Sequence, residues 1–518
     1  MRKRLSWRRP RTGSGAMTTA AVLAGGVAAA AVVVATSPHG PGLSPDSVIY
    51  LSTGDALEHG RGFRAYGGVP LTDFPPGYPL ALGAWLETVG GRPFDAARAV
   101  NAASVFALVV LTGLVLRTYV TRTVLVAAGV VLVAAAPSVL HVSVFAWSEA
   151  LFGACIMGCL FFLARSLARW RMLDVALAGA CTSACVAVRF VGAGAVLAGL
   201  VALVVGAPAA VPRRDVVKRC LVFLGIASLA PAAWLASRIS ITDSPLGVRG
   251  PPRANVFENG RDAVASAVAW FVPDTFSDPV RALGFACAAG VLCAGAAMWV
   301  RSRPSSSPGR ASALWLPALL AGSVVAVTVA GASITAQYPL DFRLLAPALA
   351  PSVVLVVGVT DRFLDRCPGR AAAGLVAVSL IGWGVVIVRA DATVWRGARN
   401  GEGYASAQWR NSGLAALVRR TPRGPQLYSN SPGALWALTG RDARCLYIVL
   451  APSPCVSVSV ASDQRREVRT PVELAWFRVI RGDAVSLPRA RPGCRLSRVG
   501  TARDGILFRV TGTRCGSA

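Results

Sequence analysis

Four charged side chains stand at the edges of long apolar blocks, where ionised groups are costly and usually functional: Asp46, Glu149, Arg189 and Arg343. Asp46 lies shortly past the end of the first block. A carboxylate there could serve as a general base, its pKa raised by partial desolvation or lowered by a nearby arginine. Tyr50 follows at i+4, so a helix starting near Pro45 would put both on one face. The competing reading of Asp46 is a helix N-cap. Glu149 opens another block and could bind a hydroxyl or act as a second acid, although a helix N-terminus also welcomes a carboxylate. Arg189 and Arg343 suit a phosphate, because the guanidinium fork is planar, bidentate and always charged; Asp341 could instead simply pair with Arg343. In the loop that carries Asp46, Arg61 and Arg64 are further phosphate candidates and Asp55, Glu58 and Asp73 are reserve carboxylates. The histidines His39, His59 and His141 are scattered and read as surface residues. No cofactor is read with certainty: external carboxylates could hold a divalent cation, but they form no recognisable ligand set, so no metal residue is assigned.

The elements that must position these groups are membrane spans. Of 518 residues, 54% are hydrophobic and only 15% charged, against about 25% charged in soluble proteins. Apolar blocks of roughly 17–25 residues match the ~30 Å of a bilayer core. The net charge of +28 is nearly all arginine and much of it falls in short loops between blocks, so it reads as a topology signal and not as nucleic-acid binding. Residues 1–16 form a basic cytoplasmic N-terminus and 17–388 a transmembrane domain of about eleven spans. These fall at about 17–36, 96–116, 123–140, 148–164, 173–188, 191–206, 220–236, 282–300, 312–332, 343–360 and 371–388. Positive-inside alternation places loops 37–93 and 237–281 outside, with a short interfacial helix at 78–89. The run Phe74–Pro79 should force a bend. Gly25-Gly26 and Gly192-x-Gly194 are packing glycines, and no nucleotide-sugar signature is present.

Residues 389–518 change character and read as a small extracytoplasmic α/β domain. Strand-like runs appear at Gln426–Ser429, Cys445–Leu450, Val456–Val460, Ala475–Ile480 and Ile506–Val510, with a short helix at Pro432–Leu438. Cys445, Cys455, Cys494 and Cys515 all fall here, an even number in an oxidising compartment. Three connectivities are open, and closeness in sequence favours Cys445–Cys455 with Cys494–Cys515.

Five segments, in order, resemble the polyprenyl-phosphate-sugar-dependent glycosyltransferases of the GT-C superfamily, the group of aminoarabinose transferases and protein mannosyltransferases. They are Asp46…Tyr50, Gly60–Gly62, Phe74-Pro75-Pro76-Gly77-Tyr78-Pro79, Trp147-Ser148-Glu149-Ala150-Leu151-Phe152 and Asp341-Phe342-Arg343-Leu344-Leu345-Ala346-Pro347. Tyr428–Pro432 with Thr439-Gly440-Arg441 adds a likeness to the tail domain of some members. The resemblance implies a multi-pass plasma-membrane enzyme, N-terminus inside and C-terminal domain outside. It would move a sugar, with inversion, from a polyprenyl-phosphate donor to a hydroxyl of an envelope glycan, lipid or protein. Asp46 would be catalytic, with Tyr50, Arg61, Asp73, Tyr78, Glu149, Arg189 and Arg343 binding substrate. In better-known relatives the first-loop acid often belongs to an Asp-Glu pair; here Ser47 follows Asp46. The competing class is a membrane transporter or flippase for a lipid-linked or envelope component, which should show two related halves with broken helices and mid-membrane charge.

Overall fold

The computed structural model describes residues 12–239, 241, 251–270, 279, 314–335, 340–367, 369–423, 425–445, 471–480, 483–485, 487–488 and 493–512. Spans one and two form as expected, as α1 (Thr12–Ala35) and α4 (Pro93–Tyr119). Between them α2 (Pro45–Glu58) and α3 (Gly77–Val89) form a cap across that end of the bundle. Span three is bent by 42° between α5 (Thr123–Ala134) and α6 (Pro137–Val144), at Pro137. Spans four, five and six are α7 (Glu149–Arg169), α8 (Met172–Val188) and α9 (Ala193–Val205). Span seven is bent by 46° between α10 (Arg213–Ala227) and α11 (Leu229–Ile239). The second loop contains α12 (Val256–Ala269), started by an Asn255–Glu258 capping box. The expected span at 282–300 lies outside the described residues. Helices Trp315–Ile334, Phe342–Arg366 and Arg370–Asn400 complete the set. Among the described residues, six helices are long and apolar enough to cross a bilayer, eight if each bent pair is one span, and two shorter apolar helices are added to these. The chain is a multi-pass membrane protein.

The bundle core is built where α4 packs on α1 and α7, and α7 on α8. Glycines let neighbouring helices close: a Cβ on Gly25 of α1 would meet Val130 of α5 at 2.8 Å, and one on Gly194 of α9 would meet the Ser323 carbonyl at 2.7 Å. α1 is part of this core through Val22, Ala29 and Val33. The chain's alternation sorts the loops between two ends. One end carries Arg117, Arg122, Arg165, Arg213, Lys218 and Arg366, where Asp361 accepts from Arg122 (2.8 Å) and from the Thr121 N–H (2.7 Å). The other end carries the α1–α4 loop and the starts of α7 and Phe342–Arg366.

The last span departs from expectation. It runs 31 residues to Asn400, about 46 Å at 1.5 Å per residue, and so projects beyond the hydrocarbon. Val394 and Ala398 continue its apolar face into a cluster that includes Phe145 and Trp147, which carries the helix past the point where hydropathy falls. Beyond it, among the described residues, a five-stranded sheet has the order β2-β1-β3-β7-β6. β1 (Gln426–Ser429) is parallel to β2 (Arg444–Cys445) and β3 (Val472–Phe477); β4 (Val479–Ile480) and β5 (Asp483–Ala484) form a separate pair; β6 (Cys494–Ala502) and β7 (Gly505–Gly512) are antiparallel. Helices Gly413–Arg420 and Pro432–Thr439 lie beside it, with Leu414 and Leu435 in the core of one sheet face. Cys494 is disulfide-bonded. Cys455, Cys515 and the expected strand at 456–460 lie outside the described residues.

Candidate active site

The first loop folds because its sequence punctuates it well. Ser44 and Ser47 form a reciprocal capping box at the start of α2, so the cap is Ser44 and Asp46 stands in the first turn with no capping role. A carboxylate there is favoured by the helix dipole. The Ser44 hydroxyl also accepts from Trp147 Nε1 at 2.7 Å, tying α2 to the segment that leads into α7. Phe74–Pro76 bends the chain as expected, but the helix already begins at Gly77, since a proline at Pro79 is tolerated in a first turn. Tyr78 then donates to Asn101 of α4 (2.9 Å), whose amide donates to the carbonyls of Ser143 (2.9 Å) and Phe145 (2.5 Å). Tyr50 packs edge-on against Phe74 and Tyr78, at 5.1 and 5.3 Å between ring centres.

At this end of the bundle, four charged groups from four elements meet. Glu149, the first residue of α7, is fully buried, and its Oε1 accepts from Arg189 Nη1 and from Arg343 Nε, each at 2.6 Å. Arg343 reaches on through Nη2 to Asp46 Oδ2 at 2.9 Å, while its guanidinium lies 4.0 Å over the Trp147 ring. Arg189 is the C-cap of α8, where a cation suits the helix dipole, and also donates to the Ser148 hydroxyl (3.3 Å). Two guanidiniums and two carboxylates therefore balance. Asp46 is the more accessible of the acids, 17% exposed against 0% for Glu149. Glu149 Oε2 is buried and makes no hydrogen bond. Glu149 also lines an otherwise apolar cleft with Leu108, Val142, Gly153 and Pro347, which keeps its surroundings of low dielectric. Burial pushes the Tyr50 phenol well above its usual range, with Asp46 and Glu149 adding to the effect, so it is held protonated.

The structure thus brings together Asp46, Tyr50, Glu149, Arg189 and Arg343, with Tyr78 against Tyr50. Asp341 is no partner for Arg343 in an ion pair; it caps its own helix by accepting the Leu344 N–H at 3.1 Å. Burial holds its carboxyl above the usual range. Asp73 is buried and accepts from Thr72 (3.3 Å). Arg61 stands apart, exposed and paired with Asp55 at 2.5 Å. Asp55, Glu58 and His59 are the one group of metal-type ligands within 4.8 Å of one another among the described residues; they lie at the far end of α2 from Asp46. His141 is half-buried and not exposed: its ring stacks on Phe145 and also meets Trp147 and Phe342.

Arg238, at the end of α11, was not singled out by the sequence. Only 5% exposed, it donates to the Leu71 carbonyl (3.0 Å) and lies 4.2 Å from the Trp234 ring and 5.8 Å from Phe63. No carboxylate pairs with it among the described residues, and Trp234 belongs to the same apolar cluster as Tyr50 and Tyr78. The signal was there: like Arg343, it is a basic residue at the wrong end of a span for the positive-inside rule.

No protein-family model matches the chain, and no curated protein matches it in sequence. Solved structures do. The chain is similar to ArnT from Cupriavidus metallidurans bound to undecaprenyl phosphate, with a TM-score of 0.59, 14% identity, and 96% of this chain and 98% of that one covered. The apo state of that protein matches with a TM-score of 0.60 at 13% identity, over the same shares of the two chains. The archaeal oligosaccharyltransferase AglB from Archaeoglobus fulgidus, in complex with an inhibitory peptide and a dolichol-phosphate, matches with a TM-score of 0.52 at 14% identity. There 82% of this chain covers 64% of that one. Likeness at these identities establishes a common fold.

Proposed function

We propose that this chain, which has the GT-C fold, is an inverting glycosyltransferase. It takes a sugar from a polyprenyl-phosphate donor and transfers it to a hydroxyl of an envelope glycan, lipid or protein on the extracytoplasmic face. The observation that carries the reading is the buried Glu149 clamp on Arg189 and Arg343, with Asp46 on its accessible side. The fold supports a lipid-linked donor, since the ArnT and AglB structures hold undecaprenyl phosphate and dolichol-phosphate. The outward placement is supported by the cationic loops at the opposite end of the bundle.

The chemistry follows from charge balance. The acceptor oxygen attacks the anomeric carbon on the face opposite the phosphate, the sugar–phosphate C–O bond breaks, and its electron pair leaves with the phosphate. The acceptor proton passes to Asp46. A phosphodiester of charge −1 becomes a monoester of charge −2 as Asp46 goes from −1 to neutral, so the site gains no net charge. Arg343 is the group placed to follow that shift. It holds Asp46 before reaction, and a phosphate drawing the guanidinium away releases the carboxylate as base. Glu149 Oε2 is left to accept a sugar hydroxyl, and Arg238 supplies the cation that the balanced cluster lacks.

The test compares envelope glycans of cells with and without the chain, then follows transfer by the purified protein from undecaprenyl-phosphate sugars prepared from the same cells. One glycan class should lose a sugar, and the matching lipid should be consumed with inversion at the anomeric carbon. Unchanged glycans together with an untouched lipid pool would refute the reading.

A further inference from the structure

Three short backbone segments, far apart in sequence, run side by side next to the candidate base. Gly42 donates to the Val144 carbonyl (2.8 Å) and its own carbonyl accepts from Ala146 (3.0 Å). Leu43 donates to the Glu402 carbonyl (3.1 Å) and accepts from Tyr404 (2.9 Å). Residues 42–43 are therefore the middle rung of a three-stranded parallel patch, between Phe145 on one side and Gly403 on the other. The rung lies immediately before the Ser44 cap and three residues before Asp46. Phe145 lies two residues before Trp147 and four before Glu149. One edge of the patch thus sets the clamp and the other edge comes from the chain after the last span.

Gly403 is where that outer edge comes closest. Its φ of +60° is one that side chains rarely adopt, and a Cβ there would fall on the Leu43 carbonyl. A side chain at 403 must push Leu43, and with it the start of α2, away. The edge is braced from behind. Arg410 donates to the carbonyls of Asn400 (3.1 Å) and Ala405, closing the turn that presents Gly403. The rings of Tyr404, Trp409 and Phe477 make edge contacts at 5.0 and 5.2 Å, which run from the patch to β3 of the C-terminal sheet.

We propose that the segment Glu402–Ala405 is a positioning strand for Asp46 and that Gly403 is its positioning residue, so that one task of the C-terminal domain is to hold the base in register with Arg343. The inference rests on the glycosyltransferase reading for the word base, but the strand itself can be tested without any donor.

The experiment uses the full chain in lipid nanodiscs. Gly403→Ala is compared with wild type and with Gly322→Ala, a lipid-facing helix position where a Cβ meets nothing within 4 Å. In Gly403→Ala, amide hydrogen exchange of the segments around Leu43 and Tyr404 should rise about tenfold or more. Undecaprenyl phosphate binding should stay within about twofold. Transfer from undecaprenyl-phosphate sugars should fall about 100-fold in kcat with little change in KM, the size expected when a reacting group is misplaced by about 1 Å. Gly322→Ala should change none of these. Should Gly403→Ala not accumulate, Arg410→Met loosens the same turn and should move exchange and kcat in the same direction by a smaller factor. Unchanged exchange at Leu43, or a loss of turnover matched by an equal loss of undecaprenyl phosphate affinity, would overturn the proposal. A wild-type chain that consumes no lipid-linked sugar would instead refute the glycosyltransferase reading, while exchange still decides the strand.

Discussion

Glu149→Gln probes the clamp with the least change of shape. One oxygen of Glu149 accepts two charge-assisted bonds at 2.6 Å, in a side chain with no exposed surface. The amide can still accept there, but it removes the negative charge paired with Arg189 and leaves Asp46 as the one acid paired with Arg343 among the described residues. Removing one partner from a buried ion pair typically costs about 3–5 kcal/mol, because the partner charge stays buried and unpaired. Unfolding entropy of roughly 2 cal/mol/K per residue makes this a fall of about 3–5 °C in Tm for a chain of this size. Transfer should fall more steeply than stability, by about 100-fold or more, since both cations lose the group that aims them. Thermal unfolding of the purified protein by intrinsic fluorescence, alongside transfer at a temperature well below Tm, measures both. A Glu149→Gln chain with unchanged Tm would refute the claim that this carboxylate organises the site. Restored stability in Glu149→Gln/Arg189→Met would support it, because that pair of changes removes the orphaned cation along with its partner.

Other consequences are open to direct measurement. Arg238→Met should weaken undecaprenyl phosphate binding about tenfold or more, the worth of one charge-assisted hydrogen bond, and titration with the lipid in nanodiscs would show it; an unchanged Kd would remove Arg238 from the site. Cys494 should resist maleimide labelling until the protein is reduced, and Cys494→Ser should make the C-terminal sheet cleavable by trypsin at lower temperature, reflecting about 2–4 kcal/mol of lost cross-linking. Labelling of Cys494 without reductant would contradict this. Reporter fusions after residue 65 and after residue 420 should both read extracytoplasmic, and one in the loop near Arg366 cytoplasmic; the opposite pattern would place the site on the wrong face.

Much of the bundle was visible in the chain because hydropathy and charge report the same thing, the cost of placing a residue in lipid. That is why α1, α4 and α7 fall close to their expected ranges. Where that cost is not the deciding factor, the sequence is a poorer guide. Arg370–Asn400 outruns its hydropathy because its last turns pack on protein and not on lipid. β6 is hard to read as an edge strand whose Arg and Ser residues face solvent, and the Gly413–Arg420 helix because its amphipathic pattern lasts only eight residues, about two turns. The charged cluster was legible through the same logic: Asp46, Glu149, Arg189 and Arg343 each stood out as charge beside an apolar block. Their pairing was not legible. Asp341 lies two residues from Arg343 in sequence, yet the pairs that form join α2 and α7 to Arg343, and α8 to α7, across up to about three hundred residues, and only packing brings these together. His141 departs from the usual wet histidine because three aromatic rings flank it.

The most direct measurement is the rate of sugar transfer by Asp46→Asn from an undecaprenyl-phosphate sugar that the wild type consumes, with undecaprenyl phosphate binding measured on the same preparation. Asparagine keeps the shape and can still meet Arg343, but it cannot take a proton. Transfer lowered by about 100-fold or more with binding intact is the expected result, in the range that general bases contribute. Wild-type transfer by Asp46→Asn would show that the acceptor proton goes elsewhere.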